Sequence, residues 1–99
     1  MSKVRDQVAD VVGKVRWQIA RVLRTPNGDE RDKCMRLLKS SLNTAVTGLA
    51  MIRLSLAPDH ADNTFINSIM GNLDKYYEMM EKGDHENAIK EMKLIFGCK

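Results

Sequence analysis

Cysteine, proline, glycine and histidine are all sparse in this 99-residue chain, and each shortage removes a class of protein. Cys34 and Cys98 are too few and too far apart for a disulfide scaffold or a thiolate metal site, and with no apolar leader at the N-terminus a reducing, cytoplasmic setting is expected. The six glycines stand singly at positions 13, 28, 48, 71, 83 and 97, so no Walker or dinucleotide-binding loop is present. With two prolines and no low-complexity tract, the composition is that of a folding chain.

Long uncharged apolar runs are missing as well. The least charged stretch, from Ser40 to Pro58, contains Arg53 and many small polar residues, which reads as a buried helix and not as a membrane span. Histidine occurs only at positions 60 and 85, and His85-Glu86-Asn87-Ala88-Ile89 lacks the second imidazole of a helical zinc-protease motif. Carboxylate pairs such as Asp29/Asp32 and Glu78/Glu81 fall on exposed helix faces, where a raised acid pKa is not expected. No enzyme, no metal and no cofactor is indicated by these residues.

What is there is helical periodicity. Val4, Val8, Val11, Val15, Ile19 and Val22 recur at spacings of three and four, predicting a first helix from about Lys3 to Arg24 that stops at Thr25-Pro26-Asn27-Gly28. Asn27 is the expected N-cap of a second helix, with Asp29 and Glu30 in its first turn. Leu38, Leu42, Ala45, Leu49, Ile52 and Leu56 carry that helix toward Pro58 over roughly 28 residues, about 40 Å, with a kink possible at Gly48. After a polar break, Ile66, Ile69, Leu73, Tyr76 and Met80 predict a third helix ending at Gly83. Asp84 then caps a short fourth one carrying Ala88, Ile89, Met92, Ile95 and Phe96 and closed by Gly97. The expected fold is all-α, one domain over residues 1–99: a compact four-helix bundle-like unit around a long central second helix.

The segment from Tyr76 to Phe96 resembles a tetratricopeptide-type helix pair, carried by Gly83, Asp84, Ala88 and Ile89. Repeat arrays need about three units for a continuous core, and no second copy occurs, so it is read as an ordinary helical hairpin. Because the second helix is apolar on more than one side after Leu42, another copy of the chain is expected to cover part of it.

Charge is unevenly spread. Up to Leu56 the chain has eleven lysines and arginines against five acidic residues; beyond it there are five lysines, eight acidic residues and no arginine. Within the basic part, Trp17 lies off the apolar stripe, and at helical spacing its neighbours are Gly13, Lys14, Arg21 and Arg24. An indole among cations suits a protein hot spot or, by stacking and bidentate hydrogen bonding, a phosphorylated anion such as a nucleotide. It suits also the packing of Trp17 against the second helix or a neighbouring subunit, with Gly13 allowing close approach and the arginines snorkelling around the indole. A second constellation, Ser40, Thr44 and Gly48, forms a groove of small residues on the second helix, and Arg53 is the only charge between Lys39 and Asp59. If its head is buried it needs an acidic partner or a bound anion, and its long stem equally allows it to reach solvent.

The sequence therefore favours a small non-enzymatic binding protein, of inhibitor or adaptor type, acting through Lys14, Trp17, Arg21, Arg24, Thr44 and Arg53 on a protein partner. The alternative is an oligomer that sequesters a nucleotide or other phosphorylated anion, as some small helical counter-defence proteins of viruses do. Nucleic-acid binding ranks third, because a net charge of +3 is weak for a duplex binder and Asp6 and Asp10 interrupt the basic face. No membrane partner is expected.

Overall fold

The computed structural model of the protein describes residues 3–97. Four helices follow one another: α1 (Lys3–Arg24), α2 (Asp29–Leu54), α3 (Asp62–Glu81) and α4 (His85–Phe96). No strand occurs among the described residues. Each helix runs antiparallel to the one before it, and pairs of contacts near opposite ends fix the registers. Thr25 Oγ1 lies 3.8 Å from Cys34 Sγ at one end of the α1/α2 pair, and Gly48 faces Val11 toward the other. Lys39 reaches Glu81 and Arg53 reaches Asn67 across α2/α3, while Lys75 meets Glu91 across α3/α4. The result is an up-down-up-down bundle, 46 × 26 × 19 Å, in which α2 packs on both α1 and α3.

The apolar stripes converge as their spacing requires, except that Ile95, expected on the α4 stripe, is 52% exposed near the end of that helix. Val15, Ile19, Val22, Leu38, Leu42, Leu49, Ile66, Leu73, Ala88 and Met92 are fully buried. Met80 and Met92 fill the core, and Met70 and Met79 pack partly against it, so these methionines are used chiefly as adaptable filling. Tyr76 is buried with its ring edge-on to Phe96 at 6.4 Å, and the adjacent Tyr77, about 100° away around the helix, is half-buried beneath Lys39. Cys34 is buried and packs in the core; Cys98 lies outside the described residues.

Three helix ends differ from the sequence expectation. The N-cap of α2 is Gly28, not Asn27, and no side chain caps it. At φ 140° this position is open to glycine and strained for asparagine, and its carbonyl accepts the Asp32 N–H. α2 stops at Leu54, giving 26 residues or about 39 Å, because Ser55 Oγ takes the Ile52 carbonyl at 2.6 Å and Pro58 disfavours helix at Ala57. Asn63 Nδ2 then donates to the Ala57 and Pro58 carbonyls. α3 ends at Glu81, two residues before Gly83, in a Schellman arrangement: Asp84 N–H bonds Met79 O and Gly83 N–H bonds Met80 O, with Gly83 at φ 83°. Asp84 does occupy the N-cap of α4, but its carboxylate accepts from the Asn87 side chain instead of a backbone N–H. α2 is continuous as a helix through Gly48.

Candidate docking face on α1 and α2

Trp17 is separated by about 200° from both Val15 and Ile19 on a helix of 3.6 residues per turn, so burying those two residues turns the indole outward. Trp17 is 56% exposed, and its one described ring contact is with Arg21, whose guanidinium sits 5.6 Å from the indole centre. Packing of Trp17 against α2 within one chain is thereby excluded. Nor does Gly13 permit an internal close approach, since a Cβ built there meets nothing within 4 Å.

Lys14 and Thr44, assigned by the sequence to separate constellations, line one groove of about 280 Å³ between α1 and α2, together with Val11, Leu37, Ser40 and Gly48. The small-residue stripe of α2 is therefore the wall of a cleft beside the Trp17 stripe. Gly48 is not sterically required there, because an added Cβ would sit 3.6 Å from Val11, an ordinary contact. Lys14 and Arg24 form no ion pair among the described residues.

Arg53 does not join this face. It lies nine residues after Thr44, which is half a turn away around the helix, and its Nη1 donates to Asn67 Oδ1 on α3 at 2.7 Å. This hydrogen bond is solvent-exposed, so the head is not buried and the acid or bound anion expected for a buried head is not called for.

Sequence reasoning passed over Leu37, Met51 and Leu54, which are 44%, 67% and 81% exposed. Their signal was present: they lie off the Leu38–Leu42–Leu49 stripe, Met51 within the uncharged run between Lys39 and Arg53 and the two leucines just outside its ends. Large apolar side chains outside a helix's core stripe have no burial within one chain.

A second depression, of about 380 Å³, opens where α2 passes the α3/α4 turn, lined by Asp32, Arg36, Lys39, Glu81 and His85 among others. The Lys39 ammonium, 3.1 Å from Glu81, holds that carboxyl below the ordinary glutamate value by hydrogen bond and charge. Arg31, 2.6 Å from Glu86 on α4, does the same to Glu86. Both shifts favour the ionised carboxylate, which suits ion pairing and not general-acid chemistry.

His60 Nδ1 accepts the Asp62 backbone N–H, and His85 Nδ1 is buried with no hydrogen-bond partner among the described residues. Neither of these nitrogens is poised on a hydroxyl or thiol nucleophile. Among the described residues, no group of three or more His, Cys, Asp or Glu side chains converges as a metal site, and no helix is long and apolar enough to cross a membrane. The chain matches no family model, no curated protein and no solved structure.

Proposed function

We propose that this chain is a non-enzymatic protein-binding module whose docking surface is the outer face of α1 and the adjoining α1/α2 groove. The observation that carries the reading is the exposure of Trp17 beside Arg21 in a molecule whose core is complete without it. Trp and Arg are the side chains that most often dominate protein interfaces, because a large rigid apolar surface and a planar fork of donors are combined at low entropic cost. Leu37 and Met51 extend the apolar area, and Lys14 and Arg24 supply a cationic rim. A photo-reactive benzoylphenylalanine at Ala20, on the edge of this face, should form a protein adduct in the native host cell. Trp17→Ala should abolish it, and the same probe at exposed Lys90 on α4 should give none. Absence of any adduct from position 20 would refute the reading.

One observation favours a second reading, the binding of a phosphorylated anion. Lys14 has no acidic partner among the described residues and shares its groove with Ser40 and Thr44, so an anion there would meet a cation and hydroxyl donors. Linear or cyclic nucleotides at millimolar concentration should then raise the melting temperature; no shift with any of them would eliminate this reading.

A further inference from the structure

The outer face of α1 has an order of side chains that reads the same way in both directions once charge is inverted. From the N-terminal end it presents Asp6, Asp10, Gly13, Trp17, Arg21 and Arg24. At about 100° per residue, Asp10 and Arg21 sit about 20–40° to one side of Trp17, and Asp6 and Arg24 sit about 20° to the other. In one chain Asp6 and Asp10 are like charges four apart and Arg21 and Arg24 like charges three apart, while Lys3 and Lys14 stand three and four residues from Asp6 and Asp10 at favourable spacing. None of Asp6, Asp10 and Arg24 has an ion-pair partner among the described residues. The helix dipole favours acid in the first turn and base in the last, which accounts for Asp6, Arg21 and Arg24. It does not account for Asp10, for the exposed indole, or for the notch at Gly13.

A second copy laid antiparallel on this face gives each of these a partner, while Lys14, one residue from the level of the axis and about 60° from Trp17 toward the α2 groove, comes beside its own copy as a like charge. A two-fold axis level with Val15 places Trp17 opposite Gly13 of the copy, Asp6 opposite Arg24, and Asp10 within one residue of Arg21. Each acid meets its base on the same side of the stripe, as a dyad perpendicular to the helices requires. The open space above Gly13 is then the hole that receives the indole.

α2 supplies an independent check. The Thr25/Cys34 and Val11/Gly48 contacts set Val15 level with Thr44, so the same axis must pass Thr44. About that position Leu37 falls opposite Met51 of the copy, and Ser40 opposite Gly48: large apolar against large apolar, small against small. A patch about 30 Å long and two helices wide covers roughly 600 Å² per copy, at the lower end of what stable complexes bury.

We infer that the outer α1/α2 face is an isologous interface with a second copy of this chain, related by a two-fold axis level with Val15 and Thr44. The inference rests on the docking-face reading and names its partner. Dimer formation buries Trp17, pairs Asp6 with Arg24 and Asp10 with Arg21 across the axis, and covers Leu37 and Met51.

Sedimentation equilibrium of the full chain between about 1 and 100 μM should give twice the 11.2 kDa chain mass, with the dimer weakened by salt. Each single reversal, Asp10→Arg or Arg21→Asp, acts twice by symmetry and should weaken the dimer by at least about tenfold. The double variant Asp10→Arg/Arg21→Asp should restore it, with helix content unchanged by circular dichroism throughout. Gly13→Leu should raise the melting temperature of the monomer while abolishing the dimer, which a defect in folding does not produce. A monomeric wild type, a dimer indifferent to either single reversal, or failure of the folded double variant to recover would each overturn the inference. The cross-link at Ala20 separates the two levels: an adduct of two identical chains supports both, and an adduct only with a different protein overturns the dimer and leaves the docking face standing. No adduct at all overturns the docking face itself.

Discussion

Trp17→Ala and Ile19→Ala, two residues apart on α1, should have opposite consequences for folding. Ile19 is fully buried, so its truncation removes apolar contact and leaves a cavity between α1 and the rest of the core. Isoleucine truncations of this kind cost about 2–5 kcal/mol, reduced by a few tenths through the better helix propensity of alanine. Trp17 is 56% exposed and loses only its stacking on Arg21, about 0.5–1 kcal/mol at an exposed site. Alanine returns about half a kcal/mol of helix propensity, and the net change is within about 1 kcal/mol of zero.

For a domain of this size, 1 kcal/mol corresponds to about 4–8 °C in melting temperature. Ile19→Ala should therefore melt at least about 8 °C lower, with Trp17→Ala inside about 5 °C of the parent. Urea unfolding followed by far-ultraviolet circular dichroism measures both, since Trp17→Ala removes the chain's one tryptophan and its fluorescence. The comparison belongs at dilutions where the transition no longer depends on protein concentration, so that association does not enter. A loss above about 2 kcal/mol for Trp17→Ala under those conditions would place the indole in the core and remove the argument that α1 has an outward working face.

Gly71 lies in the middle of α3, exposed, with nothing within 4 Å of an added Cβ; Gly71→Ala should stabilise by about 1 kcal/mol, and a destabilised variant would show that the position is covered. Arg31→Ala should cost about 1 kcal/mol and speed amide exchange in α4, because Arg31 ties α2 to Glu86; unchanged exchange would mean that packing alone holds α4. Glu81 and Glu86 have folded-state pKa values lowered by Lys39 and Arg31, so their contribution is present above the ordinary glutamate value of 4.5 and lost as pH falls below it. Stability against urea should accordingly decline from about pH 5 downward, less steeply in Lys39→Met; an identical decline in that variant would refute the assignment. Burial holds the Tyr76 hydroxyl above its ordinary 10.0, so the opposite sign applies: its contribution is present below pH 10 and lost as pH rises further, and Tyr76→Phe should flatten the alkaline limb of the stability curve.

The number of helices, their approximate extents and most of the residues they bury were legible in the sequence, because amphipathic periodicity is a local property: side chains three and four apart share a face whatever the helix packs against. The same rule set Trp17 apart from Val15 and Ile19, and Tyr76 apart from Tyr77. Helix ends were less legible, since the competition between Asn27 and Gly28 is decided by a backbone angle, and that between Leu54 and Pro58 by where the Ser55 hydroxyl bonds.

Tertiary structure alone decided which flank of α2 meets α1 and which meets α3. That choice put Thr44 beside Lys14 and sent Arg53 half a turn away to Asn67. It also set Thr44 level with Val15, the register on which the inferred two-fold axis rests. Spacing along the chain records neither the direction nor the register of packing, because both depend on how side chains from distant segments interlock, and only the folded core holds them to one solution.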